Sequence, residues 1–311
     1  MRNIVRYVLQ RTYSSVAPKY EEIRVPVPWG HIAGKWWGPQ DKQPVIALHG
    51  WQENCSSFDP LMKILPADLS ILALDMPGNG LSSWFKTQGT FHVLEDVVGL
   101  RAVIKHLNCK KPIRFLCHSY SIGIGFTYAS SFPTEVDRTM GIDMMKPMSM
   151  NPNTLTKHGG QGLDKLVDYH LNESNKEATL EEHAAQYRKG TMNSMSMEHA
   201  KLLMERMTVV NPATGLYTIS RDPRIKIQFY YSFPNEFICE MAKQLKCKIL
   251  FLKASKGLVF ESPKVIKEVV DVIEKSTDVM FAEVDGTHHV HMEKPHLIAP
   301  HVLRFLFDRE V

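Results

Sequence analysis

Long apolar runs, paired cysteines and N-terminal acidic residues are all scarce in this sequence of 311 residues. No apolar stretch reaches the roughly 18 residues that a membrane-crossing helix needs, so no transmembrane helix is predicted. The five cysteines are odd in number and form no Cys-x-x-Cys pair. This argues against a disulfide framework and favours a reducing compartment.

The first twenty residues contain no aspartate or glutamate but four basic residues: Arg2, Arg6, Arg11 and Lys19. These four account for the whole net charge of +4, so residues 21–311 carry no basic excess of the kind that nucleic-acid binding requires. An Arg-rich, acid-free segment is typical of a mitochondrial transit peptide, and residues 11–14 resemble a matrix processing site with cleavage after Tyr13. The alternatives are a basic tail and a cytoplasmic or peroxisomal location.

An apolar run that ends in His-Ser and continues into a helical pattern occurs at Phe115–Gly123. This is the sequence form of a nucleophile elbow, a tight strand-to-helix turn that presents one serine hydroxyl. The turn requires small residues two positions before and after the serine, and Cys117 and Ser121 stand there in place of the usual glycines. The pattern predicts Ser119 as the nucleophile. Cys117 would be the alternative nucleophile only if Ser119 were not the nucleophile.

A second segment, Val45–Trp51, has the pattern of a buried parallel strand that runs into a His-Gly turn. Acyl transfer builds negative charge on a carbonyl oxygen, and two backbone N–H groups are the usual way to stabilise it. We expect one N–H from the loop after this strand and one from the residue after the nucleophile. These are the N–H groups of Trp51 and Tyr120.

Near the C-terminus, a predicted strand at Val279–Val284 is followed by a glycine turn and three histidines. His288 comes directly after the turn, where the base of a catalytic triad would stand. His289 and His291 are expected to support it or to lie at the surface. A metal site is the rival interpretation of this cluster. It requires cysteine or carboxylate ligands, none of which is evident at a suitable spacing, so no metal is predicted.

These segments together resemble the α/β-hydrolase superfamily, in which the chain order is serine, acid, histidine. Further motifs narrow the resemblance to the serine hydrolase-like proteins of the kraken type: Leu48–Asp59, Leu74–Ser82, Gly141–Asp143, Asn211–Leu216, Arg221–Asp222 and Gly286–Met292. The resemblance runs from about Glu21 to the C-terminus. It implies an α/β-hydrolase fold, a Ser–His–acid triad and a helical cap, but it implies no substrate.

The acid of the triad has two candidates. The usual superfamily position follows the strand at Lys248–Lys253, but Gly257 stands about there and no carboxylate occurs before Glu261. Some relatives carry the acid at the end of the preceding strand, where this sequence has Asp143. An aspartate buried at a strand end needs a partner, and a catalytic histidine supplies one. Asp143 is therefore favoured over Glu261 and over a dyad with no acid.

Strands and helices alternate over most of the chain, which predicts an α/β fold with a mostly parallel eight-stranded sheet and helices on both faces. An opening hairpin is expected from Ile23–Ala33 and Gly34–Gly38. Six further strands are expected: Val45–Leu48, Ile71–Leu74, Ile113–Leu116, Met140–Asp143, Ile249–Leu252 and Val279–Val284. The alternation stops at 147–235, which we interpret as an inserted helical cap. The core is then 21–146 and 236–311, and 1–20 is the targeting segment.

Methionines are concentrated in and beside the predicted cap. Most are expected to fill gaps between helices, because the thioether side chain adapts to irregular space. Met144 and Met145 are expected instead to line the substrate pocket, since they leave the sheet beside Asp143.

The sequence therefore predicts a serine hydrolase that cleaves small to medium apolar esters through an acyl-enzyme, with Ser119, His288 and Asp143 as the triad. No cofactor is needed, and the expected partner is a small-molecule ester. The alternative is a non-catalytic binding protein of the α/β-hydrolase fold. The missing acid after the penultimate strand is the feature in its favour.

Overall fold

The structure is a computed structural model that describes residues 19–86, 91–149, 151–171 and 176–310. The predicted targeting segment lies, except for its last two residues, outside this part of the chain, so it stays a prediction. Within the described ranges no helix is long and apolar enough to cross a membrane.

Ten strands occur among the described residues. They are β1 (Tyr20–Val27), β2 (Gly30–Trp37), β3 (Val45–Leu48), β4 (Ile71–Leu74), β5 (Ile113–His118), β6 (Val136–Ile142), β7 (Thr208–Val210), β8 (Tyr217–Ile219), β9 (Lys248–Lys256) and β10 (Val279–Thr287). Eight of them form the main sheet in the order β1-β2-β4-β3-β5-β6-β9-β10, and β7 pairs with β8. Every main-sheet pair from β4 to β10 is parallel, whereas β1–β2 and β2–β4 are antiparallel. The predicted mostly parallel eight-stranded sheet is confirmed.

Helices cover both faces of this sheet. They are α1 (Asp59–Met62), α2 (Val93–His106), α3 (Ser121–Ser131), α4 (Pro152–Leu171), α5 (Leu180–Gly190), α6 (Met197–Met207), α7 (Asn235–Ala242), α8 (Pro263–Ser276), α9 (Val290–Glu293) and α10 (Pro295–Phe307). Two 3₁₀ helices span Cys55–Phe58 and Pro223–Tyr231. Buried side chains of α2, α3, α7 and α8 form one apolar core, and those of α1, α9 and α10 form a second. The apolar residues of the strands alternate between these two cores.

The opening hairpin differs from the prediction. The chain turns at Pro28 and Trp29 rather than between Ala33 and Gly34. Gly34 lies inside β2, where an added Cβ atom would come within 2.6 Å of the Ala73 carbonyl oxygen. The glycine therefore permits close packing of β2 on β4, and the predicted boundary between the two hairpin strands was wrong.

The stretch without strand–helix alternation contains α4, α5, α6 and the β7–β8 ribbon, all between β6 and β9. Buried side chains of Met195, Met204 and Met207 pack with Leu203 in a small core of their own. The position of these methionines between helices agrees with their expected role as gap fillers. An amide–carbonyl hydrogen bond of 2.9 Å from Asn54 Nδ2 to the Leu203 oxygen ties this layer to the sheet. The exact domain boundaries stay a prediction.

Parallel pairing brings the carboxyl ends of β3, β5, β6, β9 and β10 to one edge of the sheet. The loops that leave these five strands carry the predicted site residues. In open α/β sheets this edge is where ligands bind.

Candidate active site

Ser119 stands in the sharp turn between β5 and α3. Its backbone has a φ of 52°, in the left-handed region that non-glycine residues rarely adopt. The turn is held by Ser121, whose hydroxyl donates to the Leu48 oxygen (2.5 Å) and lies 3.0 Å from the His118 nitrogen. The Cys117 sulfur leaves no room for a side chain at Gly125, since a Cβ there would be 2.8 Å away. A small-residue elbow therefore forms without the usual glycines.

Three buried side chains form a continuous hydrogen-bonded chain. His288 Nε2 lies 2.8 Å from the Ser119 hydroxyl oxygen, and His288 Nδ1 lies 2.6 Å from Asp143 Oδ2. An ionised Asp143 accepts the Nδ1 proton, which leaves the Nε2 lone pair directed at the serine hydroxyl. Burial outweighs the attraction of Asp143 and lowers the pKa of His288 to about 4. The imidazole is therefore neutral at pH 7 and able to accept a proton.

The surroundings of Asp143 stabilise its ionised form. Burial alone would raise its pKa, but hydrogen bonds from His288 and Lys253 outweigh this effect and lower the pKa. Lys253 Nζ lies 2.5 Å from Oδ1, and the backbone N–H groups of Ala254 and Leu258 donate to the two carboxylate oxygens at 3.1 Å. Each of these bonds favours the charged form.

Gly257 explains why the usual acid position holds no acid. A Cβ atom at Gly257 would come within 2.0 Å of Asp143 Oδ1, so the carboxylate that ends β6 fills that space. The rival acid, Glu261, lies elsewhere: its carboxylate pairs with Lys146 Nζ at 2.8 Å and accepts from the Ser149 N–H at 3.2 Å. The structure thus brings Asp143, and not Glu261, to His288. The catalytic roles themselves stay predictions.

The predicted oxyanion loop is fixed through the carbonyl of Gly50. That oxygen accepts from His49 Nδ1 at 2.8 Å, while His49 Nε2 accepts from the Met76 N–H at 3.0 Å. The two contacts define a neutral imidazole with its proton on Nδ1, and burial accordingly lowers the pKa of His49. A trans peptide is planar, so holding the Gly50 carbonyl also sets the direction of the Trp51 N–H.

The second predicted oxyanion donor, Tyr120, precedes the first residue of α3. Its N–H lies at the positive end of the helix dipole, which favours negative charge. A small pocket is lined by Gly50, Trp51, Gln52 and Tyr120, among other residues. The structure therefore places both predicted donors around one space, although their role in catalysis stays a prediction.

A second acid–histidine cluster lies behind the triad, and the sequence interpretation missed its acid. Glu53 Oε2 accepts from the Gly50 N–H at 3.0 Å, and Oε1 lies 3.0 Å from His118 Nδ1 and 3.2 Å from His289 Nε2. His118 Nε2 in turn lies 3.0 Å from the His288 carbonyl oxygen. This cluster joins the oxyanion loop, the elbow and the catalytic-histidine loop.

The expectation that His289 and His291 could lie at the surface was wrong, because both are buried. His289 Nδ1 contacts the Ser194 hydroxyl at 2.7 Å, and the His291 ring lies against Phe58 with 5.4 Å between ring centroids. The other alternative, a supporting role, agrees with the position of His289, whose Nε2 contacts Glu53 in the cluster behind the triad.

The sequence interpretation also found no carboxylate for a metal, yet Glu53, His118 and His291 have ligand atoms within 4.8 Å of one another. Their geometry does not suit a tetrahedral ion. The His118 and His291 ring centroids are 4.1 Å apart, whereas two imidazoles that bind one zinc ion splay to about 5 Å or more, given Zn–N distances near 2 Å. The two rings, tilted by 42° to each other, lie too close together to share one tetrahedral ion.

Met144 and Met145 line a pocket of about 60 Å³ beside Asp143 and Leu258. Their predicted place in the substrate pocket stays a prediction. A far larger cavity, of about 700 Å³, includes Trp51 and Gln52 of the oxyanion loop in its wall. No local sequence pattern marks this cavity, because its wall comes from segments far apart in the chain.

Comparisons with known proteins agree with this fold. A family model described as the alpha/beta hydrolase fold matches residues 43–295. The chain is 36% identical to a Drosophila melanogaster protein named "Probable serine hydrolase", over 92% of this chain and 88% of that protein. It is 30% identical to a Danio rerio "Serine hydrolase-like protein", again over 92% of this chain and 88% of the relative.

Solved structures give the same fold at lower identity. A hypothetical protein of Pseudomonas aeruginosa aligns with a TM-score of 0.78 at 24% identity, over 93% of this chain and 100% of that one. An esterase of Mycobacterium tuberculosis aligns with a TM-score of 0.72 at 16% identity, over 95% and 94% of the two chains. At such identities the likeness concerns the fold alone.

Proposed function

The chain belongs to the α/β-hydrolase family, and from this premise we propose that it is a serine hydrolase that cleaves carboxylic esters. One observation carries the proposal: the unbroken chain of hydrogen bonds from the Ser119 hydroxyl through His288 to Asp143. This arrangement activates a weak nucleophile by placing a base beside it and an orienting group behind the base.

The reaction proceeds in two stages. Ser119 Oγ attacks the ester carbonyl while His288 Nε2 takes the serine proton, and the Trp51 and Tyr120 N–H groups stabilise the oxyanion. The imidazolium then protonates the leaving alcohol, and an acyl-enzyme remains on Ser119. In the second stage His288 activates a water molecule, which releases the acid and restores the serine. No cofactor takes part.

The alternative, a non-catalytic binding protein, is less well supported than the hydrolase. It rested on the missing acid after β9, and Asp143 occupies that space against Gly257. A thiol enzyme based on Cys117 is equally poorly supported. That side chain is fully buried, and burial raises its pKa far above the usual range for a thiol, so little thiolate is available.

Reaction with a fluorophosphonate probe tests the proposal. Peptide mapping should locate the label on Ser119, and Ser119→Ala should lose labelling and about 10⁴-fold or more in kcat for a simple ester. Ser130→Ala is the matched control, because that hydroxyl lies on α3 and donates to the Thr127 oxygen. Labelling that persists in Ser119→Ala, or turnover equal to that of the control, would refute the assignment.

We also propose that the N-terminal segment of residues 1–20 directs the protein to mitochondria, on the strength of its four basic residues and lack of acidic ones. A fusion of these residues to a fluorescent protein should locate to mitochondria, and mature protein should begin near Ser14. A diffuse fusion together with an intact N-terminus would contradict this.

A further inference from the structure

The large cavity adjoins the predicted oxyanion loop. Trp51 and Gln52 of that loop form part of its wall. Other parts come from α4, from α5, from the segment between Ile219 and Lys226, and from Trp84, Lys176 and Thr191. Its volume of about 700 Å³ lies within the range of pockets that bind small molecules. The cavity borders the predicted oxyanion loop and is therefore a candidate binding site for part of the substrate.

The wall of the cavity has charge of one sign. Lys176, Arg221 and Lys226 belong to it, and none of the described residues in the wall is an aspartate or a glutamate. Partial removal from water and the nearby Arg221 charge lower the pKa of Lys226, which agrees with the presence of these two cations in one wall. A cavity with several cations and no carboxylate favours an anion.

Arg221 is the most unusual of these cations, because it is buried and has no acidic partner. It is 5% exposed, and none of the described carboxylates lies within ion-pair distance of it. Its Nη1 donates to the Gln52 carbonyl oxygen at 3.1 Å, while its Nε makes no hydrogen bond. Burial lowers the pKa of this guanidinium to about 10.

The other buried arginines in the part of the chain that the structure describes are paired. Arg206 contacts Asp75 and Glu22, and Arg224 contacts Asp222. Burial of an unpaired charge is costly, so buried arginines ordinarily have carboxylate or phosphate partners. The exception at Arg221 occurs at the cavity wall and beside the oxyanion loop, where a ligand could provide the missing charge.

We propose that Arg221 binds a carboxylate group of the substrate, so that the enzyme is selective for esters that carry a negative charge, such as monoesters of dicarboxylic acids. This inference rests on the proposed ester hydrolysis and narrows its substrate class. It replaces the apolar ester expected from the sequence. Guanidinium groups recognise carboxylates through charge-assisted hydrogen bonds.

Two matched pairs of esters test the selectivity. Monomethyl adipate and methyl hexanoate differ by a charge on the acyl side, and 4-acetoxybutanoate and butyl acetate differ by a charge on the alcohol side. For the wild type, kcat/KM should be about 10- to 100-fold higher for the anionic member of at least one pair, the size expected of a hydrogen bond to a charged group. Ratios near one for both pairs would overturn the proposal.

Substitutions then identify the residue. In Arg221→Met the anionic-to-neutral ratio should fall to near one, and Arg221→Lys, which keeps the charge, should restore part of it. Arg309→Met is the matched control. Arg309 lies near the C-terminus and pairs with Asp68, and its substitution changes the net charge by the same amount as Arg221→Met. If Arg221→Met lowered kcat/KM equally for both esters of a pair, Arg221 would only support Gln52. This result would refute substrate recognition.

Binding separates this inference from the proposed function. Calorimetry with Ser119→Ala should show tighter binding of monomethyl adipate or 4-acetoxybutanoate than of its neutral counterpart, and the added Arg221→Met change should remove the difference. This result would support the anion site even if the wild type hydrolysed neither ester. Equal binding of both members of each pair would reject the anion site even if turnover occurred.

Discussion

The Asp143–His288 pair and the Glu53–His118 pair are neighbours at the carboxyl edge of the sheet, and both are buried. They consist of the same kinds of group, a carboxylate and an imidazole. Only His288 reaches a hydroxyl, that of Ser119. The nitrogen of His118 that faces away from its acid instead contacts the carbonyl oxygen of His288.

The two pairs also differ in charge. In the Asp143 pair, burial lowers the pKa of His288, and the nearby His118 charge lowers it further. In the Glu53 pair, burial opposes protonation of His118, but the attraction of Glu53 exceeds it and raises the pKa. The pKa of Glu53 is lowered in turn, because attraction and hydrogen bonds from the histidines exceed the opposing effect of burial. The same residue types therefore lower the pKa of the histidine in one pair and raise it in the other.

Asp143→Asn should produce the largest effect on this comparison. An amide at this position would favour the wrong tautomer of His288, so kcat for an ester should fall by about 10⁴-fold, the loss known for this change in a serine protease triad. Steady-state kinetics at pH 7 measure it, with near-ultraviolet circular dichroism to confirm a folded protein.

Glu261→Gln is the matched control for Asp143→Asn. Its carboxylate contacts Lys146 and Ser149 rather than His288, so kcat should change by less than about tenfold, since only a group bonded to the base affects its tautomer. A larger loss in Glu261→Gln than in Asp143→Asn would move the acid to Glu261. Two small losses would indicate a Ser–His dyad.

Glu53→Gln should have a smaller effect, and chiefly on stability. Removing one partner of a buried ion pair leaves the other charge without compensation, which typically costs 3–5 kcal/mol, so the free energy of unfolding should fall by about that amount. Urea denaturation measures it. Glu283→Gln, a change of the same kind at an exposed site, should leave stability within about 0.5 kcal/mol. Equal stabilities of the two variants would show that Glu53 is not an ionised partner of His118.

The two pairs also differ in how far the sequence predicts them: the Asp143–His288 pair was predicted, and the Glu53–His118 pair was not. Ser119, His288 and Asp143 each follow a strand with a recognisable apolar pattern, so chain order was enough to propose them. Strand β3 (Val45–Leu48) was located correctly because it is an apolar run with a polar boundary on each side.

Glu53 and Arg221 were missed for a physical reason. Glu53 meets His289 across 236 residues, and Arg221 meets Gln52 across 169. Their surroundings exist only after folding, and no local periodicity encodes them. The hairpin boundary at Gly34 was wrong for a related reason, since this glycine permits a close approach to Ala73 on a neighbouring strand.

The two histidines should affect the pH dependence of stability in opposite ways. The pKa of His288 is depressed below its ordinary value of 6.5 to about 4, so between these values the unfolded chain binds more protons and stability falls as pH falls. The pKa of His118 is raised above 6.5, so its contribution is complete below that value and is lost as pH rises through the folded pKa.

The smallest expected effect is on the pH dependence of kcat/KM, through which the Glu53–His118 pair acts on His288. His288 must be neutral to accept the serine proton, so kcat/KM of the wild type should fall with acid only near its pKa of about 4 and not near 6.5.

In Glu53→Gln, His118 loses the attraction that keeps it charged, and the repulsion that it exerts on His288 weakens. The pKa of His288 should therefore rise, and the acid limb should move to higher pH. Measurement of kcat/KM between pH 4 and pH 8 on both proteins, with urea-free buffers of constant ionic strength, tests the shift. Identical acid limbs would mean that the Glu53–His118 pair holds the loops together without affecting the charge of the catalytic base.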